Sequence, residues 1–263
     1  MRRHTIISLP LIAGVLAACG DDLPGESLTA MTYNLAQIDG GARAEAVAAE
    51  ISATGPDFAA IQECVDCARW LPSQLTDGMA VIESRSGVAI AYASSRWSLR
   101  ESGVLTLGMD DDGWGERVAQ WGLFAARDGQ VVYFYATHWC VTIRRPDDSC
   151  TVDRQLDYAR SLVDHIQRRA SLESPVLLAG DFNVFDGFED GEVISFLDDS
   201  GLRDLFRFAR PNADGTTFLG NSWAPSGRLD YVFSTTPVDV LDARIDGVSD
   251  ASDHYPVVAT VRY

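Results

Sequence analysis

Pro175-Val176-Leu177-Leu178-Ala179-Gly180-Asp181-Phe182-Asn183 is an unbroken apolar run that ends in a carboxylate, an aromatic ring and a carboxamide. A run of this length without polar interruption reads as a strand buried on both faces. Open α/β sheets place their ligands beyond the carboxyl ends of their strands, and strand alternation aims Asp181 and Asn183 to one side. Gly, Asp and Asn are also ordinary turn residues, so the stretch taken alone is equally a strand followed by an Asx turn. The rest of the chain decides between the two.

Several other apolar runs begin or end on a polar group. Leu28 to Leu35 is β-rich and carries Asn34 near its end, and residues 41–54 place Ala44, Val47, Ala48 and Ile51 at helical spacing. Gly55-Pro56 stops that helix, and Asp57 to Glu63 follows as a second strand ending in a carboxylate. Strand, helix and strand in this order form a crossover unit that brings Asn34 and Glu63 to the same sheet end. Strand-like runs at 79–83, 87–93, 98–107, 117–126 and 130–137 indicate a largely antiparallel stretch, the last of them stopping at His138. Val152, Leu156, Ala159, Val163, Ile166 and Ala170 trace a helical stripe. A second amphipathic stretch, 189–208, is read as helical with a break at Ser200-Gly201, and strands are expected at 229–234, 238–245 and 255–263. No internal repeat or long linker divides the chain, so one domain is expected over residues 27–263.

Near the C-terminus Ser252-Asp253-His254 enters a strand, and Asp230 opens the apolar run after Arg228-Leu229. A buried acid in such a run is costly unless it is paired, which makes Asp230 and His254 a candidate orienting pair. Asn34, Glu63, His138, Asp181, Asn183, Asp253 and His254 all fall at the margins of apolar runs, the shared location a composite site requires. His4 and His165 are read as bystanders.

Residues 1–18 pair Arg2 and Arg3 with an apolar run too short to span a bilayer, the pattern of a secretory signal. Leu16-Ala17-Ala18-Cys19 resembles a bacterial lipobox, which makes Cys19 the expected lipidated residue and 19–26 a tether to a membrane surface. Gly20 after the cysteine is not the acidic residue commonly used for inner-membrane retention, so an outer-membrane or cell-surface address is expected. Of the 263 residues 46% are hydrophobic, enough for a sizeable core. The formal charge is -17, every basic residue is Arg, and residues 1–18 hold two Arg and no acid. That balance excludes a dedicated nucleic-acid binder with a basic footprint, but not a nuclease whose acids are neutralised by metal. Cys64, Cys67, Cys140 and Cys150 remain as disulfide candidates in an oxidising compartment; of three connectivities, 64–67 and 140–150 close the shortest loops. A zinc ribbon needs two short Cys pairs and only Cys64-Val65-Asp66-Cys67 supplies one.

The chain resembles the endonuclease/exonuclease/phosphatase superfamily, which includes deoxyribonuclease-I-like nucleases, inositol-polyphosphate 5-phosphatases and neutral sphingomyelinases. The resemblance is carried, in family order, by Tyr33-Asn34, Gln62-Glu63, Thr137-His138, Gly180-Asp181-Phe182-Asn183, Arg228-Leu229-Asp230-Tyr231 and Ser252-Asp253-His254-Tyr255-Pro256-Val257. It implies an α/β sandwich of two packed mixed β-sheets flanked by helices, with the site at one end. It also implies hydrolysis of a phosphoester with Mg²⁺, Mn²⁺ and Ca²⁺ being the alternatives. Oxygen donors suit such an ion, and the resemblance assigns Glu63, Asn34 and Asp253 to it. His254 oriented by Asp230, with Asp181, Asn183 and His138, are the expected catalytic groups, and either His254 or Asp181 is the base.

Where 5-phosphatases carry a Trp-Cys-Asp-Arg-like stretch, this chain has Ser222-Trp223-Ala224-Pro225-Ser226-Gly227-Arg228, which disfavours an inositol-phosphate specialist. Gly113-Trp114-Gly115 is the candidate membrane contact. Arg144, Arg145, Arg203, Arg207 and Arg210 are candidate grips on a phosphate backbone, the last three at helical spacing, or else counter-charges on an acidic protein. The expectation is a monomeric, extracytoplasmic, nuclease-like phosphodiester hydrolase acting on DNA or RNA. A sphingomyelinase-like or small-phosphoester hydrolase is the alternative, and an inactive binding lipoprotein on the same scaffold the second.

Overall fold

The computed structural model describes residues 27–75, 78–84, 86–109, 115–142, 150–170, 174–186, 191–222, 224–235, 238–247 and 250–263. Cys19 with its leader and tether, Trp114, Arg144, Arg145 and Trp223 lie outside them.

In chain order the strands are β1 (Ser27–Ile38), β2 (Phe58–Cys64), β3 (Met79–Glu83), β4 (Ala89–Ala93), β5 (Trp97–Met109), β6 (Glu116–Ala126), β7 (Val131–His138), β8 (Val176–Asp181), β9 (Leu202–Asp204), β10 (Asp230–Thr235), β11 (Asp239–Ile245) and β12 (Val257–Arg262). The helices are α1 (Ala44–Thr54), α2 (Cys67–Trp70), α3 (Val152–Arg169), α4 (Gly191–Asp199) and α5 (Leu205–Ala209). Two six-stranded sheets form, in the orders β11-β12-β1-β2-β4-β3 and β5-β6-β7-β8-β10-β9. Each is mixed in the same way. A parallel pair, β1 with β2 and β7 with β8, is flanked by antiparallel neighbours.

Alternation along the central strands explains the layering. Leu177 and Ala179 of β8 face the other sheet, together with Phe134 and Ala136 of β7, Leu28 and Ala30 of β1, and Phe58 and Ala60 of β2. Val176 and Leu178 face outward onto α3, and Ala59 and Ile61 onto α1. Both faces of β8 are therefore covered, which is why its sequence has no polar alternation. Thr151 caps α3 by accepting from the Arg154 N–H, and Gly55, at φ 58°, ends α1 with a bond to the Ile51 carbonyl.

The expected helical stretch at 189–208 needs correction. Leu202–Asp204 leaves the helix to pair with Phe233–Thr235 of β10, so Arg203 stands on an edge strand and not on one helical face with Arg207 and Arg210. Sheet pairing outweighs local helical spacing there. The two disulfides close as the spacing suggested, Cys64 to Cys67 and Cys140 to Cys150.

Candidate active site

The parity that builds the core also builds the site. Asn34, His138, Asp181 and Asp230 have the same parity as the inward residues of their strands, and all sit at one end of the sandwich. Asn34 Nδ2 crosses between the sheets, donating to Asp181 Oδ2 at 2.9 Å and to Glu63 Oε1 at 3.2 Å, while its Oδ1 accepts from the Ala36 N–H at 3.0 Å. Ser252 Oγ donates to the Asn34 carbonyl at 2.7 Å and accepts from the His254 N–H at 3.1 Å, which fixes the 252–254 turn against β1.

Two residues reach the pocket by another route. Gln62 has inward parity, so plain alternation would send Glu63 out toward α1; instead Glu63 adopts φ 55° and its carboxylate lines the pocket. Asn183 lies beyond the end of β8 at φ 51°, its N–H donating to Asp181 Oδ1 and its Nδ2 to the Trp139 carbonyl, each at 2.9 Å. The alternation expected to aim Asp181 and Asn183 together thus ends at Asp181.

Glu63, His138, Asp181, Asn183, Asp253 and His254 line one cavity of about 280 Å³, with Asn34 and Asp230 directly behind them. Phe185, Phe218, Ala224 and Leu229 give the same cavity an apolar wall. Arg117, buried on β6, also lines the cavity, and sequence reading passed over it. A lone guanidinium at the head of the apolar run 117–126 was the available signal.

Electrostatics assign distinct states to the two histidines. Burial alone disfavours a charged His254, but the Asp230 carboxylate, 2.8 Å from Nδ1, overrides it, and with help from Asp181 and Asp253 its pKa is pushed up to about 10. Nδ1–H donates to Asp230, and Nε2–H points the other way, 3.9 Å from Asp181 Oδ2. His138 is held well below the usual range by burial and by the positive charges of Arg117 and His254, so it is neutral. Burial and the Asp230 charge push Asp181 up to about 7, against the opposing pull of His254, Asn34 and the Asn183 N–H. Glu63 is likewise raised, by burial first and also by the nearby Asp253, although Asn34, His254 and Arg117 oppose the shift.

The donor set fits a hard divalent cation. Glu63 keeps 18% of its side chain exposed at the cavity, next to Asp253, and neither has a cation in hydrogen-bond contact among the described residues. An ion there would relieve the raised Glu63 carboxyl, and oxygen donors are what such an ion prefers. Asp181, Asp230 and His254 form a second compact group with ligand atoms within 4.8 Å of one another. There the Asp230–His254 hydrogen bond already occupies Nδ1, so the group reads as a proton-handling cluster.

The model of the Endonuclease/Exonuclease/phosphatase family matches residues 31–254. No curated protein matches the chain. Among solved structures, an endonuclease/exonuclease/phosphatase family protein from Bacteroides thetaiotaomicron superposes with a TM-score of 0.72 at 21% identity, over 91% of this chain and 98% of that one. A mannosyl-6-phosphatase from Bacteroides thetaiotaomicron VPI-5482 gives 0.70 at 21% identity, over 90% and 100%. D. rerio TDP2, complexed with a single strand DNA product, gives 0.71 at 17% identity, over 90% and 100%. At these identities the structural likeness carries the fold alone.

Proposed function

This chain belongs to the endonuclease/exonuclease/phosphatase family, and from that premise we propose that it is a divalent-metal-dependent phosphodiester hydrolase, with Mg²⁺ the expected ion. The observation that carries the reading is a single cavity holding Glu63 and Asp253 beside the Asp230–His254–Asp181 cluster. Glu63 and Asp253, with Asn34 steadying Glu63, would hold the ion. Bound there, it would supply Lewis-acid polarisation of a phosphoryl oxygen and charge for the leaving oxygen.

The protein's own groups do the rest. His254 is charged at neutral pH and donates from Nε2 to a phosphate oxygen, its orientation set by Asp230. Asp181, with a pKa of about 7, is matched to accept a proton from the attacking water, so it takes the role of base. Asn183 spends one amide hydrogen on the Trp139 carbonyl and has a second for the phosphate. Arg117 adds a buried positive charge, and neutral His138 lines the cavity with Nε2 at 3.7 Å from Asp181 and 3.9 Å from Glu63.

A nuclease-like substrate fits as one phosphodiester unit or a short single strand presented to the cavity. TDP2 bound to single strand DNA product is such a case on this fold. A second reading, a small-phosphoester phosphatase, is favoured by the arginines. Of the candidate grips, Arg207 pairs with Asp186 and Arg210 with Asp242, so these two act as counter-charges to the protein's own acids; the buried Arg228 likewise pairs with Asp186 and Asp204. The leader and Cys19, together with the two disulfides, support an extracytoplasmic, lipid-anchored, outer-membrane address.

The test is a substrate panel with the purified domain, residues 25–263, in Mg²⁺ and in EDTA. Plasmid DNA, single-stranded DNA, RNA, sphingomyelin, sugar phosphates and bis-nitrophenyl phosphate are compared. Metal-dependent turnover lost in His254→Ala is expected; turnover surviving EDTA or that substitution would sink the reading.

A further inference from the structure

Strained backbone in this protein is gathered at the site. The described non-glycine residues with left-handed φ are Ala36, Gln37, Glu63, Asp66 and Asn183; four of the five line the cavity, and Asp66 lies inside the Cys64–Cys67 loop. Such conformations cost free energy and persist only where the surroundings over-determine them. Each strand end has its own holder. Arg43 donates to the Leu35 and Ala36 carbonyls, and the buried Gln155 donates to the carbonyls of Cys140 at 2.9 Å and Asn183 at 3.1 Å.

At Glu63 the Asn34 amide holds the carboxylate at 3.2 Å, and the backbone behind it is held covalently. We propose that the Cys64–Cys67 disulfide is a positioning device that keeps the Glu63 carboxylate turned into the cavity in its cation-binding direction. The inference rests on the reading of Glu63 as a cation ligand. Glu63 breaks the alternation of β2, and from that point Cys64 packs with Cys67, Leu71 and Ile38 in the outer cluster, on the side Glu63 has left. The Val65 N–H donates to the Ile38 carbonyl at 2.8 Å and the Cys64 N–H to Gly87 at 3.2 Å, but both bonds hold the chain after the turn. The loop is also tied by the Trp70 indole N–H on the Val65 carbonyl and the Arg69 N–H on the Asp66 carbonyl, each at 2.9 Å. The crosslink, however, is the covalent restraint on a segment in which Asp66 also needs a positive φ, and it opposes relaxation of residues 63–66 to extended β2 geometry with Glu63 facing α1. Both sulfurs are fully buried, which suits a permanent brace.

The experiment measures Mn²⁺ binding, by the free-ion EPR signal, in the wild type, Cys64→Ala/Cys67→Ala and Cys140→Ala/Cys150→Ala, with thermal melting alongside. Loss of the 64–67 brace is expected to weaken Mn²⁺ binding by about tenfold or more, as loss of groups that orient a metal ligand does. Turnover at saturating metal should recover, and the 140–150 variant should bind Mn²⁺ like the wild type. Unchanged Mn²⁺ affinity in the 64–67 variant overturns the proposal, whatever its melting temperature. No Mn²⁺ binding by the wild type instead overturns the reading of Glu63, and this inference with it.

Should the double variant not fold, reciprocity provides the same measurement in the wild type. An ion bound more tightly by the oxidised form must protect the disulfide by the same factor. The Cys64–Cys67 equilibrium in a dithiothreitol redox buffer, read by alkylation, is then expected to shift with saturating Mg²⁺, and not in Glu63→Gln. No shift in the wild type overturns the proposal.

Discussion

Asp230 and Asp181 stand directly opposite one another in the antiparallel pair β10–β8, two buried acids in register at the end of the sandwich. Like charges so placed repel, and the charged ring of His254, bonded to one and 3.9 Å from the other, is what makes the arrangement tolerable. Asp230→Asn is therefore expected to lower kcat by about 10²- to 10⁴-fold, the usual worth of a positioned acid–base group. Single-turnover rates at saturating Mg²⁺ check this, with circular dichroism confirming that the variant is folded.

The pH profile follows from the same cluster. Asp181 accepts a proton only above its pKa of about 7, and His254 loses its charge near 10, so kcat/KM should rise through the first value and fall through the second. Asp230 raises both groups, so Asp230→Asn should move both limbs toward lower pH. A rate profile flat from pH 6 to 11 would contradict the assignment.

Stability should carry the sign of the His254 shift. Its folded pKa, about 10, lies above the ordinary 6.5, so its stabilising contribution is complete below pH 6.5 and disappears as pH climbs through 10. Urea denaturation between pH 6 and 10 is expected to show this decline, and His254→Gln to flatten it.

Behind the site, Arg228 is buried between Asp186 and Asp204 and lies over the Tyr231 ring, its Cζ 4.2 Å from the centroid. Removing the guanidinium leaves the buried Asp204 carboxylate without its ion-pair partner, while Asp186 keeps Arg207. Arg228→Ala should cost about 3–5 kcal/mol of unfolding free energy. Arg207→Ala, at the exposed edge of the same network, should cost much less. Equal losses in denaturant titrations would refute the distinction.

The apolar wall predicts selectivity. Phe218 faces the cavity with its ring 4.9 Å from that of His254. Phe218→Ala should reduce the preference for an aryl over a methyl phosphodiester by about tenfold, the scale of a lost apolar contact. The ratio of kcat/KM values for the two substrates reports it directly.

Much of this site could be read from the chain because strand parity is a local rule. Asn34, His138 and Asp181 each end an apolar run with the parity of its inward residues, and Asp230 begins one, so their convergence follows once the two sheets face each other. At Glu63 the letters gave no warning of a departure from the rule, whereas at Asn183 they allowed one, since the stretch also reads as a strand followed by an Asx turn and the Asn183 N–H does donate to Asp181 Oδ1. Glu63 and Asn183 enter the cavity through left-handed φ, a property of the turns that follow them. Arg117 was legible only as a guanidinium at the head of an apolar run, a signal that points to the site once the cavity beside it is known. Arg203 was misplaced because only the partner strand β10 reveals that residues 202–204 are extended.

The bond from Asn34 to Asp181 and the seating of Ser252 on the Asn34 carbonyl tie together residues far apart in the chain. A polypeptide cut short anywhere before His254 lacks its proton-bearing ring and the strand, β12, that closes against β1. A chain ending before His254 is therefore expected to be inert however well its earlier strands pair, because the last-made segment carries a group that no earlier one replaces.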